Sequence, residues 1–214
     1  MVTKGQYLER PTLIPLAGGL VLEGVAHRGD RAVGLLILPP PPFEGSGMDH
    51  VAAAEIAFAT SREGHPTLRF NYRGVGGSQG QQSRSAEAWL EDATAALDLA
   101  IDNARGTGAV VASIGASDAV ALELAARREV AGLALVSPSV VRPGDLAFGP
   151  LAVVLPELEF SADLAAWRAA LERLDGELTV VSQATSTFLR GLPMVGQAVA
   201  ALVARASLAT ARTD

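Results

Sequence analysis

The chain has 214 residues, of which 49% are hydrophobic and 19% charged, so it can bury a sizeable core. Its net charge of −6 argues against a phosphate-binding surface, because nucleic-acid affinity depends mainly on Lys and Arg. The absence of cysteine excludes disulfides, thiolate catalysis and Cys-based metal sites. We therefore expect one large domain, residues 1–214, that binds no nucleic acid.

Neither end of the chain predicts a membrane segment. The first residues, MVTKGQYLERP, contain no apolar stretch of the signal-peptide kind and are typical of a mature cytoplasmic protein. The least charged stretch, residues 191–210, is interrupted by Pro193, Gln197 and Arg205, and its many alanines add little membrane affinity. We expect a cytoplasmic protein in which this stretch is a packed helix, with a homodimer interface as its alternative role.

Short β-rich runs alternate with longer alanine-rich runs along the chain. Three closely spaced apolar runs come first, and their spacing predicts antiparallel strands joined by hairpins at 12–17, 20–26 and 32–39. Helices are then predicted at 48–64, 85–104, 117–127, 162–174 and about 194–208, and strands at 67–74, 109–115, 130–137, 151–156 and 177–183. This alternation with fully apolar strands predicts a doubly wound α/β fold, a mostly parallel sheet with helices on both faces.

The segment GASDA, residues 115–119, follows a predicted strand and opens a predicted helix. A serine in such a turn is typical of a nucleophile elbow, which needs small neighbours because strand and helix come close. Ser117 is then the candidate nucleophile, with Gly115 on one side and Ala119 where a glycine is usual. The alternative is structural, with Ser117 as the helix N-cap and Asp118 as a first-turn residue favoured by the helix dipole.

A longer segment indicates a family. LRFNYRGVGGSQG, residues 68–80, resembles a strand and its following loop in the α/β-hydrolase superfamily, whose members often carry a similar F-x-x-R-G-x-G-x-S segment. FEGSGMD at 43–49 falls where the family has its oxyanion loop, and VAGLALVSPSV at 130–140 resembles the strand after the nucleophile helix. The resemblance, convincing over about residues 20–140, is to the small, lidless, dienelactone-hydrolase-like and predicted-esterase branch. It implies an α/β-hydrolase-like fold with a serine, an acid and a histidine in that order.

The acid and the histidine are expected after the last two strands. LPELEF offers Glu157 or Glu159 as the acid, whereas Ser186 of SQATSTFLRG aligns with the histidine. No histidine follows Ser117, so the triad that the resemblance implies is incomplete. A serine hydroxyl is a poor nucleophile without a base, and disabling such a triad costs on the order of 10⁴–10⁶ in kcat.

The three histidines all precede Ser117, and one of them lies on the side of the expected crevice. His50 follows the oxyanion-loop segment, where it could contact a ligand or, with unusual geometry, act as a base. His27 and His65 are predicted to be surface residues.

Any oxyanion site has few available donors. Residues 39–42 are prolines and have no N–H, which leaves Gly45, Ser46 and Gly47 to supply a second contact. Asp118, whose N–H would be the first donor, carries a carboxylate that opposes a developing negative charge unless it points away.

The sequence supports no cofactor or metal site, because RGVGGSQG does not give G-x-G-x-x-G and three scattered histidines form no coordination cluster. We predict a catalytically degenerate α/β-hydrolase homologue, a binding or regulatory protein with a protein partner or a small apolar ligand in the old crevice. The alternative is a serine ester or thioester hydrolase. It would use Ser117 with His50 or a substrate group as base, and Glu159 or Glu157 as support.

Overall fold

The computed structural model describes residues 9–210, so the N-terminal segment discussed above lies largely outside the described residues. Eight strands form a single sheet: β1 (Arg10–Pro15), β2 (Val21–His27), β3 (Gly34–Leu38), β4 (Thr67–Phe70), β5 (Ala109–Ile114), β6 (Gly132–Val136), β7 (Leu151–Pro156) and β8 (Glu177–Val181). Their order across the sheet is β1-β2-β4-β3-β5-β6-β7-β8. The β1–β2 and β2–β4 pairs are antiparallel, and the other pairs are parallel.

Helices cover both faces of this sheet. They are α1 (Val51–Arg62), α2 (Ala86–Asn103), α3 (Asp118–Arg127), the short α4 (Glu157–Phe160), α5 (Leu164–Arg173) and α6 (Leu192–Thr210). Buried residues of α1 and α6 share one apolar cluster, and those of α2, α3 and α5 share the other. The predicted doubly wound, mostly parallel α/β fold is confirmed.

The central strands show why the sequence folds this way. Every residue of β3 is buried, and successive side chains point to opposite faces of the sheet. Leu35 and Ile37 pack in the cluster with α1 and α6, whereas Leu36 and Leu38 pack in the cluster with α2 and α3. A strand that is apolar at every position must be covered on both faces, which fixes β3 in the middle of the sheet.

The prediction of three hairpin-joined strands is wrong for the third one. β1 and β2 form the expected antiparallel pair, but β3 does not pair with β2. It lies parallel to β4 and β5, with β4 between it and β2. The short connection between β2 and β3 does not form a hairpin, because β3 is apolar at every position and needs cover on both faces. An antiparallel position beside β2, near the edge of the sheet, would leave part of β3 exposed.

The prediction that His27 and His65 are surface residues is also wrong. His27 is 4% exposed and its Nδ1 lies 2.9 Å from the Thr67 hydroxyl oxygen. His65 is 2% exposed and its Nδ1 donates to the Val33 carbonyl at 2.8 Å. Burial lowers the pKa of both imidazoles, so both are held as neutral core residues at the end of the sheet opposite the candidate site.

The helix α6 forms as predicted from the apolar C-terminal stretch. Within the described residues it is the one helix whose length and composition would also suit a membrane span, a property that core helices share. It packs against α1 and against strands β5 to β8. Its buried residues are Val195, Gly196, Val199, Ala200, Leu202, Val203 and Ala206.

Candidate functional site

The candidate site lies beyond the carboxyl ends of the parallel strands, where open α/β sheets bind their ligands. Four segments contribute to it: the loop after β3, the turn between β5 and α3, and the segments that follow β7 and β8. The loop after β3 spans residues 39–49 and is called here the β3 loop. The turn after β5 spans Gly115–Ser117 and is called here the elbow.

The residue at the strained position of the elbow is Gly115. Its φ is +60°, whereas Ser117 has φ −72° and ψ −5°, an ordinary helical conformation. In a nucleophile elbow the nucleophile itself occupies the sharp, strained position between strand and helix. Ser117, the candidate nucleophile, therefore does not have the conformation that a nucleophile elbow requires. Gly115 adopts it, because a glycine takes a positive φ without steric cost.

The hydroxyl of Ser117 points into the protein. Ser117 is fully buried, and its Oγ donates to the Pro39 carbonyl at 2.5 Å and lies 3.2 Å from the hydroxyl of Tyr72. Burial raises the pKa of Tyr72, so the phenol stays neutral and cannot act as a base near neutral pH. Nor does the Ser117 side chain cap helix α3. Its observed contact joins the elbow to the end of β3.

Replacing Ser117 with alanine is expected to lower the free energy of unfolding by about 1–3 kcal/mol, since the buried Pro39 carbonyl and Tyr72 hydroxyl lose a partner. Urea denaturation measures the change. The matched control is Ser139→Ala at an exposed position, where we expect a change within about 0.5 kcal/mol. Equal stabilities for the two variants would contradict a structural role for the Ser117 hydroxyl.

Asp118 does not line an oxyanion pocket with its carboxylate. The residue is fully buried, and its Oδ2 accepts hydrogen bonds from the backbone N–H groups of Val140 and Val141 at 2.8 and 2.9 Å. Its Oδ1 accepts from the N–H of Ala119 at 2.6 Å. The prediction that Asp118 belongs to a ligand pocket is corrected: its carboxylate fastens the loop after β6 to the start of α3.

The side chain that the β3 loop brings to the elbow is Glu44, which sequence analysis did not single out. A Cβ added to Gly115 would lie 2.5 Å from Oε2 of Glu44, so this carboxylate stands where a side chain at position 115 would begin. Burial raises the pKa of Glu44, and the nearby N–H of Ala116, which favours the charged carboxylate, offsets part of this rise. Gly45 and Ser46, the predicted oxyanion donors, instead form an exposed turn in which the Gly45 carbonyl accepts the N–H of Gly47.

Contacts along the β3 loop hold it against the neighbouring strand and helix. The ring of Phe43 lies 5.7 Å from that of Trp89 on α2. The N–H of Met48 donates to Oδ1 of Asn71 at 2.8 Å, and the buried Arg69 donates to the carbonyl of Met48 at 2.7 Å. Both polar residues belong to the RFNYRG segment, which therefore positions the loop that carries Glu44.

His50, the predicted ligand or base residue, follows the β3 loop and is the N-cap of α1. Its Nδ1 accepts the N–H of Ala52 at 3.2 Å, and burial lowers the pKa of the imidazole. A ring nitrogen that accepts a hydrogen bond must be unprotonated, so the cap and the pKa shift agree. The observed contact of His50 is structural.

The two candidate acids lie on α4 and bind the segment after β8. Glu159 accepts hydrogen bonds from the N–H and the hydroxyl of Ser186 at 2.9 and 3.1 Å. Glu157 accepts from the N–H of Gln183 and the hydroxyl of Ser182, both at 2.8 Å, and these bonds lower its pKa. The structure thus brings Glu159 together with the residue that aligned with the histidine.

The elbow does not face a substrate-sized cavity among the main clefts of residues 9–210. The largest of four clefts, about 830 Å³, lies between the β1–β2 hairpin, α2 and the end of α3. The other three measure about 600, 440 and 470 Å³. None of the four is lined by Gly115, Glu44 or Ser186.

Sequence reasoning placed the elbow correctly but took its register two residues too late. The signal for the observed register was present, because Ser113 and Ser117 are small residues two positions on either side of Gly115. A small residue on each side of the turn is what close strand–helix packing requires. No sequence feature distinguished Glu44 from the other polar residues of the loops.

Comparisons with known proteins identify similar folds. A lidless α/β serine hydrolase from Xanthomonas campestris is 21% identical, with a TM-score of 0.74 over 92% of this chain and 94% of its own. An α/β serine hydrolase homologue from Coxiella burnetii is 23% identical, with a TM-score of 0.69 over 96% and 97%. A dienelactone hydrolase from Anabaena variabilis is 18% identical, with a TM-score of 0.70 over 96% of both chains. No protein-family model and no curated protein sequence matches the chain.

Proposed function

We propose that this chain, which has the α/β-hydrolase fold, is a non-catalytic member of that fold and acts as a binding or regulatory protein. The observation that carries the proposal is Gly115 at the strained position of the elbow. A glycine there offers no hydroxyl, thiol or carboxylate to attack a substrate. The nearest hydroxyl along the chain, that of Ser117, is buried and donates to the Pro39 carbonyl.

The place of the general base supports the same conclusion. In this fold the acid orients a histidine that takes the proton of the nucleophile. Here Glu159 binds Ser186 instead, and a serine hydroxyl cannot accept a proton near neutral pH. His50 is committed to the N-cap of α1. Among residues 9–210, the elbow therefore has neither a positioned nucleophile nor a positioned base.

The oxyanion donors are also obstructed or missing. The residue after the elbow glycine is Ala116, and the carboxylate of Glu44 stands beside this turn, with its Oε2 2.5 Å from where a Cβ on Gly115 would lie. The start of the β3 loop consists of prolines, which have no N–H to offer. Loss of one oxyanion donor alone costs on the order of 10²–10³ in kcat.

A serine acyl hydrolase is the second candidate function. It is favoured by the structural neighbours, which include a lidless serine hydrolase, a serine hydrolase homologue and a dienelactone hydrolase. On this hypothesis Ser117 becomes exposed by a movement of the β3 loop and reacts with help from His50 or from the substrate.

A fluorophosphonate probe, combined with hydrolysis of a short p-nitrophenyl ester, distinguishes the two candidates. We expect no covalent labelling of the folded protein at saturating probe, and no ester turnover above that of the Ser117→Ala variant. Probe attachment at Ser117, together with turnover that is lost in Ser117→Ala but kept in Ser139→Ala, would establish the hydrolase and overturn our proposal. The cytoplasmic location, a protein partner and a homodimer remain predictions.

A further inference from the structure

The two edges of the eight-stranded sheet differ in how they are protected from pairing with another strand. At one edge, β1 contains Pro11 and Pro15, and a proline has no N–H to donate to a neighbouring strand. At the other edge, β8 has the sequence ELTVV, without the prolines and lysines that usually block an edge strand. The sequence therefore guards the β1 edge and leaves the β8 edge open to pairing.

The backbone of β8 is free on its outer side. Within residues 9–210, β8 pairs with β7 alone, and no backbone hydrogen bond outside the sheet involves Leu178, Thr179 or Val180. These three residues are half-buried, so no described segment covers the strand completely. A strand that leaves N–H and C=O groups unpaired at the edge of a sheet is a template for another strand.

The helix beside this edge presents an apolar surface of its own. Arg205 of α6 forms an ion pair with Glu177 at the start of β8, which places this face of α6 next to the strand. Met194 and Leu208 lie on the same face of the helix as Arg205, and they are 44% and 63% exposed. Large apolar side chains that stay exposed on one face beside an open strand are typical of a protein–protein interface.

The charges of this surface favour a second copy of the chain as the partner. The chain has a net charge of −6, which opposes self-association over most of its surface. Here, however, Arg205 is the one charged residue of α6 and Glu177 the one charged residue of β8, and they pair with each other. Two copies that meet at this surface bring together no unpaired like charges, and a strongly charged partner would find no unpaired opposite charge.

The side-chain directions of β8 fix the register in which two copies can pair. In an antiparallel pair, opposed residues point to the same face, and full overlap of the five residues places Thr179 of the two copies opposite each other. Leu178 then lies opposite Val180, which gives an aliphatic cross-strand pair on each side of the two-fold axis. The two Glu177 residues lie at opposite ends of the paired strands, and each keeps its own Arg205.

We propose that the protein is a two-fold symmetric homodimer in which two β8 strands join the two sheets into one continuous sheet, with the exposed faces of α6 packed beside them. The strand pair alone is too small, because a stable interface buries about 1,200–2,000 Å² in total, so the contact between the helices is required. The dimer goes beyond the proposed function and does not depend on it, since the elbow follows β5 in the middle of the sheet.

The mass of the protein in solution tests the dimer, measured by light scattering after gel filtration at micromolar concentration. We expect twice the 22.0 kDa of one chain, and a mass of one chain overturns the inference. In Thr179→Lys we expect dimerisation to weaken by roughly tenfold or more, because like charges opposite each other destabilise a strand pair. Mixing Thr179→Lys with Thr179→Glu is expected to restore dimers that contain one chain of each kind, which a misfolded variant could not form.

Thr12 provides the matched control, because it is also a half-buried threonine on an edge strand, but on β1. Thr12→Lys is expected to leave the dimer intact. The natural chain has no cysteine, so Thr12→Cys and Thr179→Cys each carry a single thiol. We expect a short bismaleimide to link two copies of Thr179→Cys and not of Thr12→Cys, because opposed residues of an antiparallel pair have Cα atoms about 4.5–5.5 Å apart.

A dimer that survives Thr179→Lys, that dissociates in Thr12→Lys or that is linked through Thr12→Cys would have its interface elsewhere and would overturn the inference. These outcomes are independent of the fluorophosphonate test, because labelling of Ser117 changes the proposed function and leaves the mass of the dimer as it is.

Discussion

Replacing Asp118 with alanine is expected to lower the free energy of unfolding by about 2–5 kcal/mol, since one buried and one part-buried N–H group lose their acceptor, at about 1–3 kcal/mol for the buried one and less for the other. These are the N–H groups of Val140 and Val141, which have Oδ2 of Asp118 as their partner at 2.8 and 2.9 Å. Urea denaturation followed by far-UV circular dichroism measures the loss.

Two further variants show whether this loss comes from the loop after β6. Asp118→Asn retains one carbonyl oxygen as an acceptor, so a smaller loss than in Asp118→Ala is expected. Glu129→Ala removes an exposed carboxylate beyond the end of α3 and should change the stability by less than about 0.5 kcal/mol. If Asp118→Ala were as stable as Glu129→Ala, the carboxylate of Asp118 would not fasten the loop after β6 as described.

The fold could be predicted from the sequence because its strands and helices each carry an unambiguous pattern. β3 is apolar at every position and β5 at every position except Ser113, and because both are buried throughout they can only lie inside a sheet covered on both faces. The helix α2 shows apolar residues at helical spacing, and its predicted limits, 85–104, differ from Ala86–Asn103 by one residue at each end. The place of β3 beside β4 and β5 was missed because a short connection favours hairpins only when both strands can lie side by side at an edge.

The location of the site could be predicted from the sequence, but the residue at the nucleophile position and the side chain beside it could not. The family resemblance put the acid, Glu157 or Glu159, and the histidine position, Ser186, in the segments after the last two strands. The structure brings Glu159 and Ser186 within hydrogen-bonding distance. The register of the elbow depends on which residue has a positive φ. Small residues stand two positions on either side of Ser117 and also of Gly115, so the need for small neighbours in close strand–helix packing does not distinguish the two registers. The inward position of Glu44 depends on the space that Gly115 leaves, and such a vacancy is visible only in three dimensions.

The reverse experiment, rebuilding a triad, has the largest expected effect on activity. A variant combining Gly115→Ser, Ser186→His and Glu44→Ala is expected to gain ester hydrolysis on the order of 10²–10³ above the wild type. A complete triad raises kcat by a factor on the order of 10⁴–10⁶. An oxyanion site with a single good donor lowers that gain by a factor on the order of 10²–10³. Hydrolysis of p-nitrophenyl acetate and labelling by a fluorophosphonate at position 115 are the measurements.

Partial variants identify the position of the nucleophile independently of the total rate. Gly115→Ser with Glu44→Ala, but without the histidine, is expected to remain unreactive because no base takes the proton of the new hydroxyl. Ser186→His alone is expected to remain unreactive as well, since Ser117 is buried against Pro39 and Tyr72. If Ser186→His alone gained turnover, and Ser117→Ala then abolished it, Ser117 and not the residue at position 115 would occupy the place of the nucleophile. The elbow would then have to adopt, in solution, a conformation different from the one described.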